Sequence, residues 1–138
     1  MEIIKFNDAK AFSNIIRKKT EYGAICGGFI SEGRSYIVEV TDEENFELPH
    51  FHLKSENFDA VLHMWFPKYY KKSEYKDRLS KKLKEDLTEW FQLEADLIPK
   101  NKTHKTYWQV LNFGWKNATD RKIKFLRKTI PNYLKLKG

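Results

Sequence analysis

Between Tyr22 and Phe66 the apolar residues recur at every second position, and no other feature limits the fold as tightly. A strand sends alternate side chains to opposite faces, so this period marks a sheet with a buried face. Ala24-Ile25-Cys26-Gly27-Gly28-Phe29-Ile30 predicts a strand with a Gly-Gly bulge or kink, followed by a turn at Glu32-Gly33. The next strand, Ser35 to Thr41, carries Tyr36, Val38 and Val40 on one face. An acidic loop, Asp42-Glu43-Glu44-Asn45, leads to a strand over 48–54, and Ser55-Glu56-Asn57 leads to another over 58–66. In that last strand Phe58, Ala60, Leu62, Met64 and Phe66 face one way, while Asp59, Val61, His63 and Trp65 face the other. Successive strands with short turns predict an antiparallel meander.

Helical spacing brackets the sheet. Asn7 and Asp8 are good caps for a short N-terminal helix over 8–19, with Ala9, Phe12, Ile15 and Ile16 as its apolar stripe. Ser80 caps a longer helix over 80–98, where Leu83, Leu87, Trp90, Phe91, Leu97 and Ile98 recur before Pro99 stops it. Tyr107 to Trp115 suits a further short helix closed by Gly114. Asn117-Ala118-Thr119-Asp120 resembles the cap of a basic C-terminal helix over 120–130, ended by Pro131. The fold class is α+β: an antiparallel sheet of about four strands with the helices packed on one face. At 138 residues, the chain is long enough for one core and reads as a single domain, 1–138.

Composition then limits the function classes. Aromatic residues make up 15% of the chain, too many for a disordered one despite its lysines. No apolar run is long enough to span a membrane, and the N-terminus lacks the basic start and apolar run of a signal peptide. Cys26 is the only cysteine, which rules out an internal disulfide and a Cys-rich zinc site. The chain therefore reads as cytoplasmic. Its thiol is either an exposed nucleophile beside Gly27-Gly28 or a small buried residue of an apolar strand.

Charge is unevenly divided. Residues 1–65 hold 7 Lys and Arg against 11 Asp and Glu, a net of −4, whereas residues 66–138 hold 19 against 8, a net of +11. One basic cluster comprises Lys68, Lys71, Lys72, Lys76, Arg78, Lys81, Lys82 and Lys84, and another includes Arg121, Lys122, Lys124, Arg127 and Lys128. Such clusters attract phosphate backbones or an acidic protein partner, and the alternative is a solvated lysine-rich surface. Trp65-Phe66-Pro67-Lys68-Tyr69-Tyr70, followed by Lys71-Lys72, interleaves rings and cations in a way that suits base stacking above a phosphate track. The competing reading places Trp65 and Phe66 in the core.

The chemistry-bearing motif is Pro49-His50-Phe51-His52-Leu53. Alternation puts His50 and His52 on one face, and His63 lies on the strand expected to pair with theirs. With an even number of residues in the connecting loop, both share a face with Asp59, Val61, His63 and Trp65. A two-residue loop sets His52 opposite Asp59, a four-residue loop sets His50 opposite His63, and an odd loop sends His63 to the other side. His50, His52, His63 and Asp59 are then candidate ligands of a divalent metal, the one cofactor the sequence suggests. The same residues also suit metal-free acid/base work, or packing and hydrogen bonding at a sheet surface. No Walker loop, Rossmann fingerprint, Ser-His-Asp order or helical HExxH is present.

The order of Pro-His-Phe-His strand, further strand, basic loop, amphipathic helix and Tyr107-Trp108 to Trp115 segment resembles a small bacterial family of unknown function. Its members carry a Pro-His-aliphatic-His strand and are often encoded in toxin–antitoxin-like gene pairs. The likeness covers about residues 34–115, and His50 and His52 map onto its motif. It implies a sheet with one long helix, no settled catalytic mechanism, and a partner protein or nucleic acid.

Three functional expectations follow. The first is a non-enzymatic binding or regulatory protein, related to toxin–antitoxin, phage or anti-defence systems. Its basic half, through Lys68, Tyr69, Lys71, Lys72, Lys76, Arg78, Lys81, Lys82, Arg121, Lys122, Lys124, Arg127 and Lys128, would contact an acidic protein partner or nucleic acid. The second is a metal-dependent phosphodiesterase or nuclease using His50, His52 and His63. The third is a homo-oligomer that buries a sheet edge or aromatic face against its own copy.

Overall fold

The computed structural model describes residues 1–16, 23–41, 50–64, 79–96 and 106–118. They form an α+β fold with β1 (Glu2–Ile4), α1 (Phe6–Ile16), β2 (Gly23–Ser31), β3 (Arg34–Thr41), β4 (His50–Ser55), β5 (Phe58–His63), α2 (Lys81–Gln92) and α3 (Tyr107–Ala118). The sheet is antiparallel throughout and runs in the order β1-β2-β3-β4-β5. Five strands replace the expected four. The addition is β1, three residues that pair Glu2 with Ile30 and Ile4 with Gly28 and give too short a run for alternation to register.

Two tight turns set the registers. Ser31 pairs with Arg34, leaving Glu32 and Gly33 as a two-residue loop with φ of 51° and 76°. Positive φ at both positions suits the right-handed twist of the flanking strands. Ser55 pairs with Phe58, so β4 and β5 are joined by Glu56 and Asn57 alone, with Asn57 at φ 56°. The exposed Arg34 ties the two tips together. Its Nε donates to Ser55 Oγ at 3.2 Å, a terminal nitrogen donates to the Glu56 carbonyl, and its guanidinium lies over the Tyr36 and Phe58 rings.

One face of the sheet is apolar. Phe29, Tyr36, Val38, Val40, Phe51, Leu53, Ala60 and Leu62 pack there with Leu87, Trp90, Phe91, Tyr107, Trp108 and Leu111 of α2 and α3. Each large side chain fully withdrawn from water there contributes about 1.5–3 kcal/mol. Trp90 stacks on Tyr107 at 4.2 Å, and Phe51 meets Phe91 edge-on at 5.6 Å. The β2 bulge between Ile25 and Gly27 makes room for the stacked pair. A Cβ on Gly27, at φ 149°, would stand 2.9 Å from both Trp90 and Tyr107.

α1 takes the opposite face, which corrects the expectation that all helices share one side. A Cβ on Gly28 would lie 3.4 Å from Ala9 of α1 and 3.5 Å from Ile37, its cross-strand partner. Its closest approach would be to the Tyr36 carbonyl oxygen at 2.6 Å, so it is the β3 backbone that requires glycine at 28, and Ala9 packs over it at ordinary contact distance. The helix bounds also move. α1 spans 6–16, and Ile15 of the expected stripe is 80% exposed. α2 starts after Ser80, whose Oγ accepts from Leu83 N at 3.1 Å as a cap should, but it ends at Gln92 rather than at Pro99. There Leu93 turns extended, and Glu94 bridges to Thr106. Gly114 lies inside α3 rather than closing it. The expected 120–130 helix lies outside the described residues.

Candidate functional site: a buried ionisable band

The hairpin register decides which side chains meet. His50 pairs with His63, His52 with Val61 and Lys54 with Asp59, so the loop is even and His50, His52, Lys54, Asp59, Val61 and His63 share a face. The sequence ties the His50–His63 pairing to a four-residue loop; it occurs with two loop residues because β4 runs to Ser55. On the other side, Glu39 pairs with His52 and Ile37 with Lys54. Ionisable groups from three adjacent strands therefore form a band beside the patch that α1 covers.

The band is buried. His50 is 0%, Glu39 1%, His52 2%, His63 4% and Lys54 6% exposed. Its charges are paired, as withdrawal from water requires. Lys54 Nζ lies 2.8 Å from Glu39 Oε1. His52 Nδ1 lies 3.0 Å from Asp59 Oδ1 and, because a carboxylate only accepts, it carries the proton. Asp59, with a quarter of its side chain exposed, links the band to solvent. His50 sets its ring edge-on to His52 at 5.8 Å and to Trp115 of α3 at 5.0 Å.

Among the described residues, no group of three or more His, Cys, Asp and Glu could hold a metal ion. The His52 Nδ1 is directed at Asp59, and the His50 ring packs against Trp115. Cys26 is buried. Burial, and then the Glu39 carboxylate, push its thiol up to about 12, so it stays protonated near neutral pH.

Sequence reasoning missed the Glu39–Lys54 pair. Its signal was present: Glu39 interrupts the apolar alternation of Tyr36, Val38 and Val40 from the opposite face, and Lys54 continues the period of His50 and His52. A second missed pairing involves α2. The buried Asp86 accepts from Ser31 Oγ at 2.5 Å and lies 3.1 Å from Lys82 Nζ. Burial raises its carboxyl, but the Ser31 hydrogen bond and Lys82 outweigh that and hold it below its ordinary value.

Of the basic candidates, Lys81 and Lys82 stand exposed on the first turn of α2. Lys68, Tyr69, Lys71, Lys72, Lys76, Arg78, Arg121, Lys122, Lys124, Arg127 and Lys128 lie outside the described residues, as do Pro49 and Trp65. No helix among the described residues is long and apolar enough to cross a membrane. No family model, curated protein or solved structure matches the chain.

Proposed function

We propose that this is a small binding and regulatory protein whose basic C-terminal half contacts a nucleic-acid backbone. The observation that carries the reading is the charge division, −4 over residues 1–65 against +11 over 66–138. A net charge so concentrated raises the local density of phosphates and speeds their capture. The Trp65 to Lys72 run supports nucleic acid over an acidic protein, because rings interleaved with cations suit stacked bases. Within the buried band Lys54 pairs with Glu39 and His52 with Asp59, which supports a scaffold role for these groups. A regulator encoded beside its partner gene, as the Pro-His-Phe-His resemblance implies, fits such a division of labour.

Fluorescence anisotropy with labelled duplex and single-stranded oligonucleotides, over a salt series, tests this. Binding should fall steeply with salt, each duplex phosphate contact adding about −0.9 to the slope of log K against log salt. Absence of binding at low salt would reject the nucleic-acid reading and leave an acidic protein partner. The metal-dependent nuclease alternative is checked by metal analysis of untagged protein. Less than about a tenth of an equivalent of zinc, manganese or nickel, with no gain on reconstitution, would dismiss it.

A further inference from the structure

Two oxidisable rings lie face to face inside the apolar core. Trp90 and Tyr107 stack with centroids 4.2 Å apart and planes 16° from parallel. Both are fully withdrawn from water. Phe29 and Phe91 close on Trp90 at 5.7 and 5.4 Å. Indole and phenol are the aromatic side chains most easily oxidised, and rings in contact let an electron pass between them.

The two rings differ in where a proton can go. Trp90 Nε1 is buried with no hydrogen-bond partner among the described residues, so an indole that loses an electron there keeps its proton. Tyr107 OH, by contrast, donates to Asp96 Oδ1 at 2.7 Å, and the Asp96 backbone N–H donates to the phenol oxygen at 3.3 Å. Phe6 N donates to the other carboxylate oxygen, Oδ2, at 3.0 Å, which fixes the orientation of the group. Burial, and then the hydrogen bond to Asp96, raise the Tyr107 hydroxyl above its ordinary value, so it is a protonated phenol near neutral pH. A phenol that loses an electron becomes a strong acid, and here a base stands within hydrogen-bond reach to take the proton. Asp96 is exposed, so the proton can pass on to solvent.

We propose that Trp90 and Tyr107 form a redox-active pair that gives one electron to strong one-electron oxidants of the radical class, such as peroxyl or carbonate radicals. In that step the Tyr107 O–H bond breaks and its proton forms a new O–H bond on Asp96 Oδ1. The electron reduces the oxidant, directly or by way of Trp90. A neutral tyrosyl radical remains at Tyr107, shielded from water by the packing around it. This activity does not depend on the nucleic-acid reading.

Flash oxidation of the full chain with photoexcited ruthenium tris-bipyridine and persulfate, followed by electron paramagnetic resonance and absorbance, tests it. The wild type should give an indole radical that decays as a long-lived tyrosyl signal grows. Tyr107→Phe keeps the stacked ring and should abolish the long-lived signal. Six of the seven tyrosines remain in that variant, so the loss assigns the radical. Asp96→Asn keeps an acceptor oxygen but not a base, and should slow growth of the tyrosyl signal about a hundredfold with circular dichroism unchanged. Trp90→Phe should remove the growth that follows indole decay. A tyrosyl signal of equal size and lifetime in Tyr107→Phe would overturn the proposal. So would an Asp96→Asn rate equal to that of the wild type, or an unchanged course in Trp90→Phe.

Discussion

The two faces of the sheet are made from the same strands by opposite means. On the side of α2 and α3, Phe29, Phe51, Leu53, Trp90 and Leu111 exclude water by size and number. On the other, Glu39, Lys54, His50, His52 and His63 are buried to a similar degree, with Lys54 paired to Glu39 and His52 to Asp59. The apolar face gains stability in proportion to area, whereas the ionisable face is stable only while each charge keeps its counterpart. What this teaches is that equal burial does not mean equal robustness: trimming an apolar side chain costs its volume, whereas removing one charge strands another.

The largest effect expected is on the apolar side. Trp90→Ala should lower unfolding free energy by about 3–5 kcal/mol in chemical denaturation, because Phe29, Phe91 and Tyr107 all lose a ring contact. A cost below about 1 kcal/mol would mean that this face is not the packed core. Lys54→Met should cost about 3 kcal/mol, although methionine is more apolar, since the buried Glu39 carboxylate then loses the Lys54 cation 2.8 Å away. Stabilisation by Lys54→Met alone would erase the contrast between the faces.

Smaller effects sharpen the comparison. Asp59→Asn keeps a hydrogen-bond acceptor for His52 Nδ1 but removes the charge, and the group is a quarter exposed, so about 1 kcal/mol is expected. Asp86 gives a pH signature distinct from that of the band. Its carboxyl lies below the ordinary 3.8, so the stability it adds is full above that value and is lost as pH falls through the lower folded value. Ser31→Ala should therefore cost stability at neutral pH by a margin that narrows as denaturation is repeated at lower pH. A margin that widens on acidification would contradict the sign.

Much of this was legible in the sequence. Alternation over Phe58, Ala60, Leu62 and Met64 against Asp59, Val61 and His63 placed each side chain on its face, because a two-residue period leaves no other choice once one face is apolar. Loop parity at 55–58 was the open question. It turns on a one-residue slip of β5 against β4, which no local propensity fixes. The side on which α1 docks was not legible for a different reason. Ala9 meets Gly28 only through the packing of α1 on β2, a contact that no local spacing announces. The ion pair went unread because Glu39 and Lys54 are fifteen positions apart and meet through strand register, not through any spacing motif.

The central claim is that the buried charges act as a coupled pair while the opposite face packs additively. A double-mutant cycle at Glu39 and Lys54, with Glu39→Leu, Lys54→Met and the two combined, measures this in chemical denaturation. Each single substitution should cost about 3 kcal/mol, and the double variant should recover most of that loss, giving a coupling of about 2 kcal/mol or more. Costs that simply add in the double variant would contradict it.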